Sequence, residues 1–237
     1  MKKLYALLLP VLLLMSSFLS AQVKDGDLLK GSKENIYIVL NGKACWIPTA
    51  EVFNAMKLDL KSVAIIDDAK LNKLPKGDLV FKSKAEKYFF NLNGSAAFIG
   101  DASIFTALGI NEKFVVNLPD DIIEKLPKAL LIVKGKKAAK YLLIEGKVCQ
   151  FSSDKIFKIL GFNNSNVVTV DDKGLAAVPK SPFLIKGEGD KIYLIEKDKR
   201  RWITTQEIFN KNNYDWKAVL KVEEKILKTI PEGKPVN

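Results

Sequence analysis

The chain has 237 residues, 48% of them hydrophobic and 27% charged, with a formal charge of +11, two cysteines and no histidine. Without histidine there can be no Ser-His-Asp triad, Cys-His pair or His-ligated metal, and two cysteines cannot close a structural zinc site. Nearly all the positive charge is lysine, Arg200 and Arg201 being the only arginines, which disfavours a nucleic-acid reader because bidentate base and phosphate recognition favours arginine.

Residues 1–21 read as a signal peptide. Lys2 and Lys3 form a basic start, Leu4 to Leu14 is almost wholly apolar, and Leu19-Ser20-Ala21 is a small-residue cleavage site before Gln22. The apolar stretch falls short of the roughly 20 residues a spanning helix needs. No cysteine follows the cleavage site to carry a lipid. The expected location is therefore outside the cytoplasm, in the periplasm or on the cell surface of a bacterium.

Beyond the leader the sequence matches itself when shifted by 52 residues, with no gap. Phe53, Phe105, Phe157 and Phe209 keep this spacing, as do Pro75, Pro127, Pro179 and Pro231, and Lys30, Lys82, Lys134 and Lys186. Four units result: 26–77, 78–129, 130–181 and 182–233. A unit this small buries little alone, so the copies must pack on one another into one domain.

Each unit opens with a short apolar strand ending in lysine, as in Leu28-Leu29-Lys30, followed by Gly31, Gly135 or Gly187 in three copies. A second strand, Ile36 to Leu40 in the first copy, is β-branched and aromatic. Asn41-Gly42 and Asn93-Gly94 then predict type I′ hairpins, with Gly146 and Asp198 in the glycine's place in the later copies. A third strand leads to Thr49, Asp101, Ser153 or Thr205, all good N-caps for a short helix. That helix buries Val52, Phe53 and Met56 or their equivalents on one face. Gly109 and Gly161, with Lys57 and Asn213, stand where it ends. An extended run holding Val63, Val115, Val167 or Val219 follows. A last short helix or turn begins at Asp68, Asp120, Asp172 or Glu224 and is stopped by the recurring proline. The recurrent acids suit helix starts better than calcium binding or carboxylate catalysis. The recurrent lysines are expected to pair with them.

The predicted fold is an α+β repeat protein of four β-hairpin/helix units. Two arrangements fit, a closed propeller-like ring and an open array with polar end caps. The first and fourth copies are as apolar as the inner ones at the recurring core positions, which favours the ring. Cys45 and Cys149 hold the same position in copies one and three, where copies two and four have Ala97 and Arg201. They are expected to be unbonded, buried thiols.

The string Ile36-Tyr37-Ile38-Val39-Leu40-Asn41-Gly42-Lys43-Ala44-Cys45-Trp46-Ile47-Pro48-Thr49, echoed by Tyr193-Leu194-Ile195-Glu196 and Arg200-Arg201-Trp202-Ile203, resembles a tandem repeat of secreted and cell-surface bacterial proteins. That repeat often accompanies envelope-acting domains and has no defined activity. Copy three departs from it at Gln150, where the others carry Trp46, Phe98 or Trp202. A weaker likeness, through Tyr88-Phe89-Phe90 and the short hairpin, is to hemopexin-type propeller blades.

No nucleotide-binding glycine pattern, catalytic constellation or cofactor motif is present, so the expectation is a protein that is not an enzyme and carries no cofactor or metal. The fourth hairpin breaks the symmetry by gathering Lys197, Lys199, Arg200, Arg201 and Trp202. Lys199, Arg200, Arg201 and Trp202 are the candidate partner-binding residues, because Arg and Trp are favoured contact anchors. The expected partner is an acidic protein or an anionic envelope polymer. The leading function is a structural component of a periplasmic or surface assembly, or an adhesin-like binder. A carbohydrate or cell-wall binding module is the alternative and requires Trp46, Phe98 and Trp202 to be exposed.

Overall fold

The computed structural model describes residues 23–237; the leader expected over 1–21 lies outside them. In the first unit, β1 (Leu28–Lys30) pairs antiparallel with β2 (Ile36–Leu40), which pairs antiparallel with β3 (Lys43–Trp46). The helix α1 (Ala50–Ala55) then crosses to β4 (Val63–Ile65), which joins β1 in parallel. A second helix, α2 (Asp68–Lys73), leads to β5 (Lys76–Gly77), parallel to β3. The sheet order is β4-β1-β2-β3-β5. The same series recurs at the 52-residue spacing in the other three units, giving four small mixed sheets and eight short helices among the described residues. In the third and fourth units the last strand shrinks to single bridges, Val148 to Lys180 and Arg200 to Glu232.

Local chemistry explains these elements. Asn41 and Gly42 both take positive φ (48° and 69°), as the type I′ turn demands, and so do Asn93-Gly94, Glu145-Gly146 and Lys197-Asp198. Thr49 Oγ1 accepts from Val52 N–H, and Asp101, Ser153 and Thr205 cap their helices in the same way. Lys57, Gly109, Gly161 and Asn213 occupy the left-handed region just past those helices.

In the first two units the recurrent lysine has a different partner from the one expected, and in the last two it has no ion pair among the described residues. Lys30 pairs with Glu34 and Lys82 with Glu86, at 2.9 and 2.7 Å. The recurrent acids instead accept backbone N–H groups of the turn after β1: Asp68 from Ser32, Asp120 from Lys84, Asp172 from Lys136 and Glu224 from Glu188. This close approach explains the glycines. A Cβ at Gly31, Gly135 or Gly187 would lie only 1.7–2.1 Å from the acid's oxygen.

Alternation along each strand sets the assembly. Leu28, Ile38 and Cys45 face the second unit and pack with Phe81 and Ala96. Leu29, Val39 and Ala44 point to the opposite side and form a cluster with Leu71. One face of each sheet thus meets the next unit and the other meets the preceding one. Units one and two, two and three, and three and four share a core. The two end clusters draw on one unit each.

Among the described residues no sheet closes on itself, and the packing runs from unit one to unit four in a line. This corrects the expected propeller-like ring. Phe53, Phe105 and Phe157 are buried in cores shared between units, and Phe209 is buried in the end cluster of unit four alone, so these recurring apolar positions do not distinguish an inner copy from an end copy. The informative positions are those between sheets. Asp27 stands where Leu79, Leu131 and Phe183 are buried, and Arg201 stands where Cys45, Ala97 and Cys149 are buried. Both are polar substitutions on terminal faces, as an open array needs.

Cys45 and Cys149 are free and buried. They belong to different cores, one between units one and two and the other between units three and four. Burial pushes both thiols up to about 11. Phe53, Phe105, Phe157 and Phe209 are all at most 4% exposed. Their neighbours differ: Tyr88 stacks on Phe105, Phe151 meets Phe157 edge-on, and Trp216 stacks on Phe209.

Candidate binding cleft on the fourth unit

The fourth hairpin, with strands Ile192–Glu196 and Lys199–Trp202, does not gather its basic residues on one surface. Lys199 is exposed. Arg200, whose side chain is 12% exposed, donates from Nη1 to the Leu227 carbonyl at 3.0 Å and from Nη2 to Glu232 at 2.6 Å. Its guanidinium lies 5.5 Å from the Tyr193 ring centroid.

Earlier units fill this place with lysine. Lys76 Nζ donates to the Leu71 carbonyl and sits over the Tyr37 ring, and Lys128 Nζ donates to the Ile123 carbonyl. Glu232 occupies the position of Lys76, Lys128 and Lys180. The fourth unit therefore moves the cation to the neighbouring strand and puts an acid where the lysine was.

Arg201 points to the opposite, terminal face. It donates to Glu196 at 2.6 Å and to the carbonyls of Lys234 and Pro235 at 2.9 and 3.3 Å. The last residues lie alongside it, with Val236 bridged to Ile203. The two arginines are bound within the chain on opposite faces of one strand, where partner recognition was expected to use them together. Trp202, the remaining candidate, lines a cleft.

That cleft has a volume of about 710 Å³. Ile192, Ile203, Phe209 and Val219 form its apolar base, and Trp202 and Trp216 its aromatic walls. Trp216 stacks on Phe209 with centroids 4.0 Å apart and remains 51% exposed. Lys191 Nζ lies 4.6 Å over the Trp202 ring. Lys186, Lys191 and Lys221 stand at the rim with a single carboxylate, Asp190. Among the described residues, none of these three lysines has an ion-pair partner.

Each unit has an equivalent place, treated differently. In the first unit Trp46, Phe53 and Leu60 line a cleft of about 410 Å³ with no lysine in its lining. In the second, Tyr88 fills it by stacking on Phe105 at 4.4 Å. In the third, Lys140 Nζ sits 4.8 Å over Phe157 and 2.7 Å from Asp154, whose carboxyl it holds below its usual range. Only the fourth is both open and ringed with cations.

Trp216, Lys191 and Lys221 were not among the residues expected at the site. The signal was present at the 52-residue spacing, where Trp216 replaces Leu60, Glu112 and Asn164, and Lys221 replaces Ile65, Asn117 and Thr169. Trp46, Phe98 and Trp202 are all partly exposed. Among the described residues, no group of three or more His, Cys, Asp or Glu converges on a point, and no helix is long and apolar enough to cross a membrane.

No protein-family model and no curated protein matches the chain. Among solved structures it is similar to a chain of the periplasmic assembly from the ESX-5 inner membrane complex. That match has 10% identity and a TM-score of 0.22, and covers 92% of this chain and 62% of that one. A chain of an intact ESX-5 inner membrane complex gives 11% identity and a TM-score of 0.22, with 94% and 55% covered. The chain thus spans about three fifths of the length of these neighbours, and at such TM-scores neither likeness bears on its function.

Proposed function

We propose that the chain is a non-catalytic, exported protein that works through contacts with other proteins, as a structural component of a periplasmic or cell-surface assembly or as an adhesin-like binder. Export rests on the basic, apolar and small-residue order of residues 1–21. The contact role rests on one observation: of four equivalent places, the fourth alone combines an open aromatic wall with three lysines that lack an ion-pair partner. Exposed tryptophan beside cations is what protein contact anchors favour. The resemblance of the repeat to those of secreted and cell-surface proteins agrees with this reading.

A carbohydrate or cell-wall binding module is the second reading, favoured by the half-exposed Trp216 ring. Cross-linking the chain in its native envelope separates the two. The protein-contact reading predicts discrete adducts with other proteins. A chain that forms no protein adduct but is retained on purified cell-wall saccharide contradicts it.

A further inference from the structure

We infer that the cleft of the fourth unit receives an acidic segment of its partner protein, with an Asp or Glu carboxylate among Lys186, Lys191 and Lys221 and a neighbouring apolar side chain on Trp216. This rests on the protein-contact reading above and names the chemistry of the contact.

The third unit supplies the template. There a carboxylate of the chain itself, Asp154, meets a lysine over the buried phenylalanine. In the fourth unit the equivalent of Asp154 is Gln206, and the equivalent of Lys140 is Ile192. The acid at the position of Asp154 is gone, the apolar base is uncovered, and three lysines, Lys186, Lys191 and Lys221, face a single rim carboxylate, Asp190. A carboxylate from outside restores the pairing that the third unit makes within itself. Each lysine is partly or fully exposed and has no carboxylate partner, so it reaches a ligand without first breaking an ion pair. Burying apolar surface on Trp216 adds affinity that charge at an exposed rim does not supply alone. A glycan acid would use the same cations, but it would not require an apolar anchor next to the charge.

The test is selection of a displayed random-peptide library on the full chain, followed by titration of the enriched synthetic peptides by tryptophan fluorescence. The expected consensus is Asp or Glu next to an aromatic or aliphatic residue. Binding should weaken roughly five- to ten-fold in a Lys191→Gln, Lys221→Gln variant and fall with added salt, as for exposed charge pairs. Trp216→Ala should weaken it again, while Leu60→Ala in the first unit's cleft should leave it unchanged. Enriched peptides that lack acids, or that bind the lysine variant equally well, overturn the inference while leaving a protein-contact role intact. Failure to enrich any peptide, together with saturable binding of polygalacturonate that the lysine variant loses, overturns both.

Discussion

Arg200 and Glu232 are a charge swap between two neighbouring positions, and their roles can be separated by mutation. Arg200→Ala removes the donor to the Leu227 carbonyl and leaves Glu232 without its cation. It should cost about 0.5–1.5 kcal/mol, the net worth of a typical hydrogen bond, because the Leu227 carbonyl still accepts from Ile230 N–H and Glu232 is exposed. Glu232→Lys alone sets a second cation beside Arg200 and should also destabilise. The double variant Arg200→Ala, Glu232→Lys recreates the Ala44/Lys76 and Ala96/Lys128 arrangement of the first two units. It should recover most of the loss in urea unfolding, and simple additivity of the two losses would refute the swap. The arginines themselves were legible as the residues that break the repeat, but their meaning was not. A side chain that differs from its three counterparts marks either a partner surface or a terminal position, and only the direction of the strand's two faces separates these. The reversal from Lys76, Lys128 and Lys180 to Glu232 was the readable clue to Arg200.

At the scale of elements, hairpins, caps and helix ends were legible because each is decided within a few residues by φ preference or a single side-chain acceptor. Contacts between units were not, since they depend on which face a strand presents. Gly174 is one example. It lies inside the helix Asp172–Ala177, and a Cβ there would sit 1.6 Å from the Ala107 carbonyl oxygen of the preceding unit. Gly174→Ala should therefore destabilise by roughly 1–3 kcal/mol through overpacking, although alanine is the better helix former. A gain in the unfolding midpoint would show that the two helices are not in close contact.

The boundary between units three and four is polar at its edge. Lys147 lies 2.6 Å from Asp215 and Ser152 Oγ lies 2.6 Å from Asp198. The hydrogen bond from Lys147 holds Asp215 below the usual carboxylate range, and the Ser152 and Ser153 hydroxyls do the same for Asp198. A carboxyl group depressed on folding stabilises the fold above its unfolded value of about 4, and loses that effect as pH falls through its folded value. Asp215→Asn keeps an acceptor for the Lys217 N–H but loses the charge. It should unfold more easily than the parent at pH 7, with the difference shrinking as pH falls below the ordinary aspartate value of about 4. A difference that persists in acid would assign the loss to packing.

For the whole molecule, the mixed α+β class and the buried phenylalanines were legible because strand, cap and helix signals recur along the chain. Ring against line was not, because a recurring residue such as Phe209 is buried even where no further unit packs against it. The line leaves two unlike ends, one carrying Asp27 and the other carrying Arg201 beside the lysine-rimmed cleft. That difference allows a single binding site on a repetitive scaffold. The most direct measurement is a set of electron–electron distances between spin labels placed in pairs at Glu51, Ser103, Lys155 and Glu207, which are equivalent exposed positions on the first helix of each unit. The native thiols are buried and should not take label. The open stack predicts distances from Glu51 that lengthen at each step, to Ser103, Lys155 and Glu207 in turn. A Glu51–Glu207 distance equal to the Glu51–Ser103 distance would contradict it and close the ring.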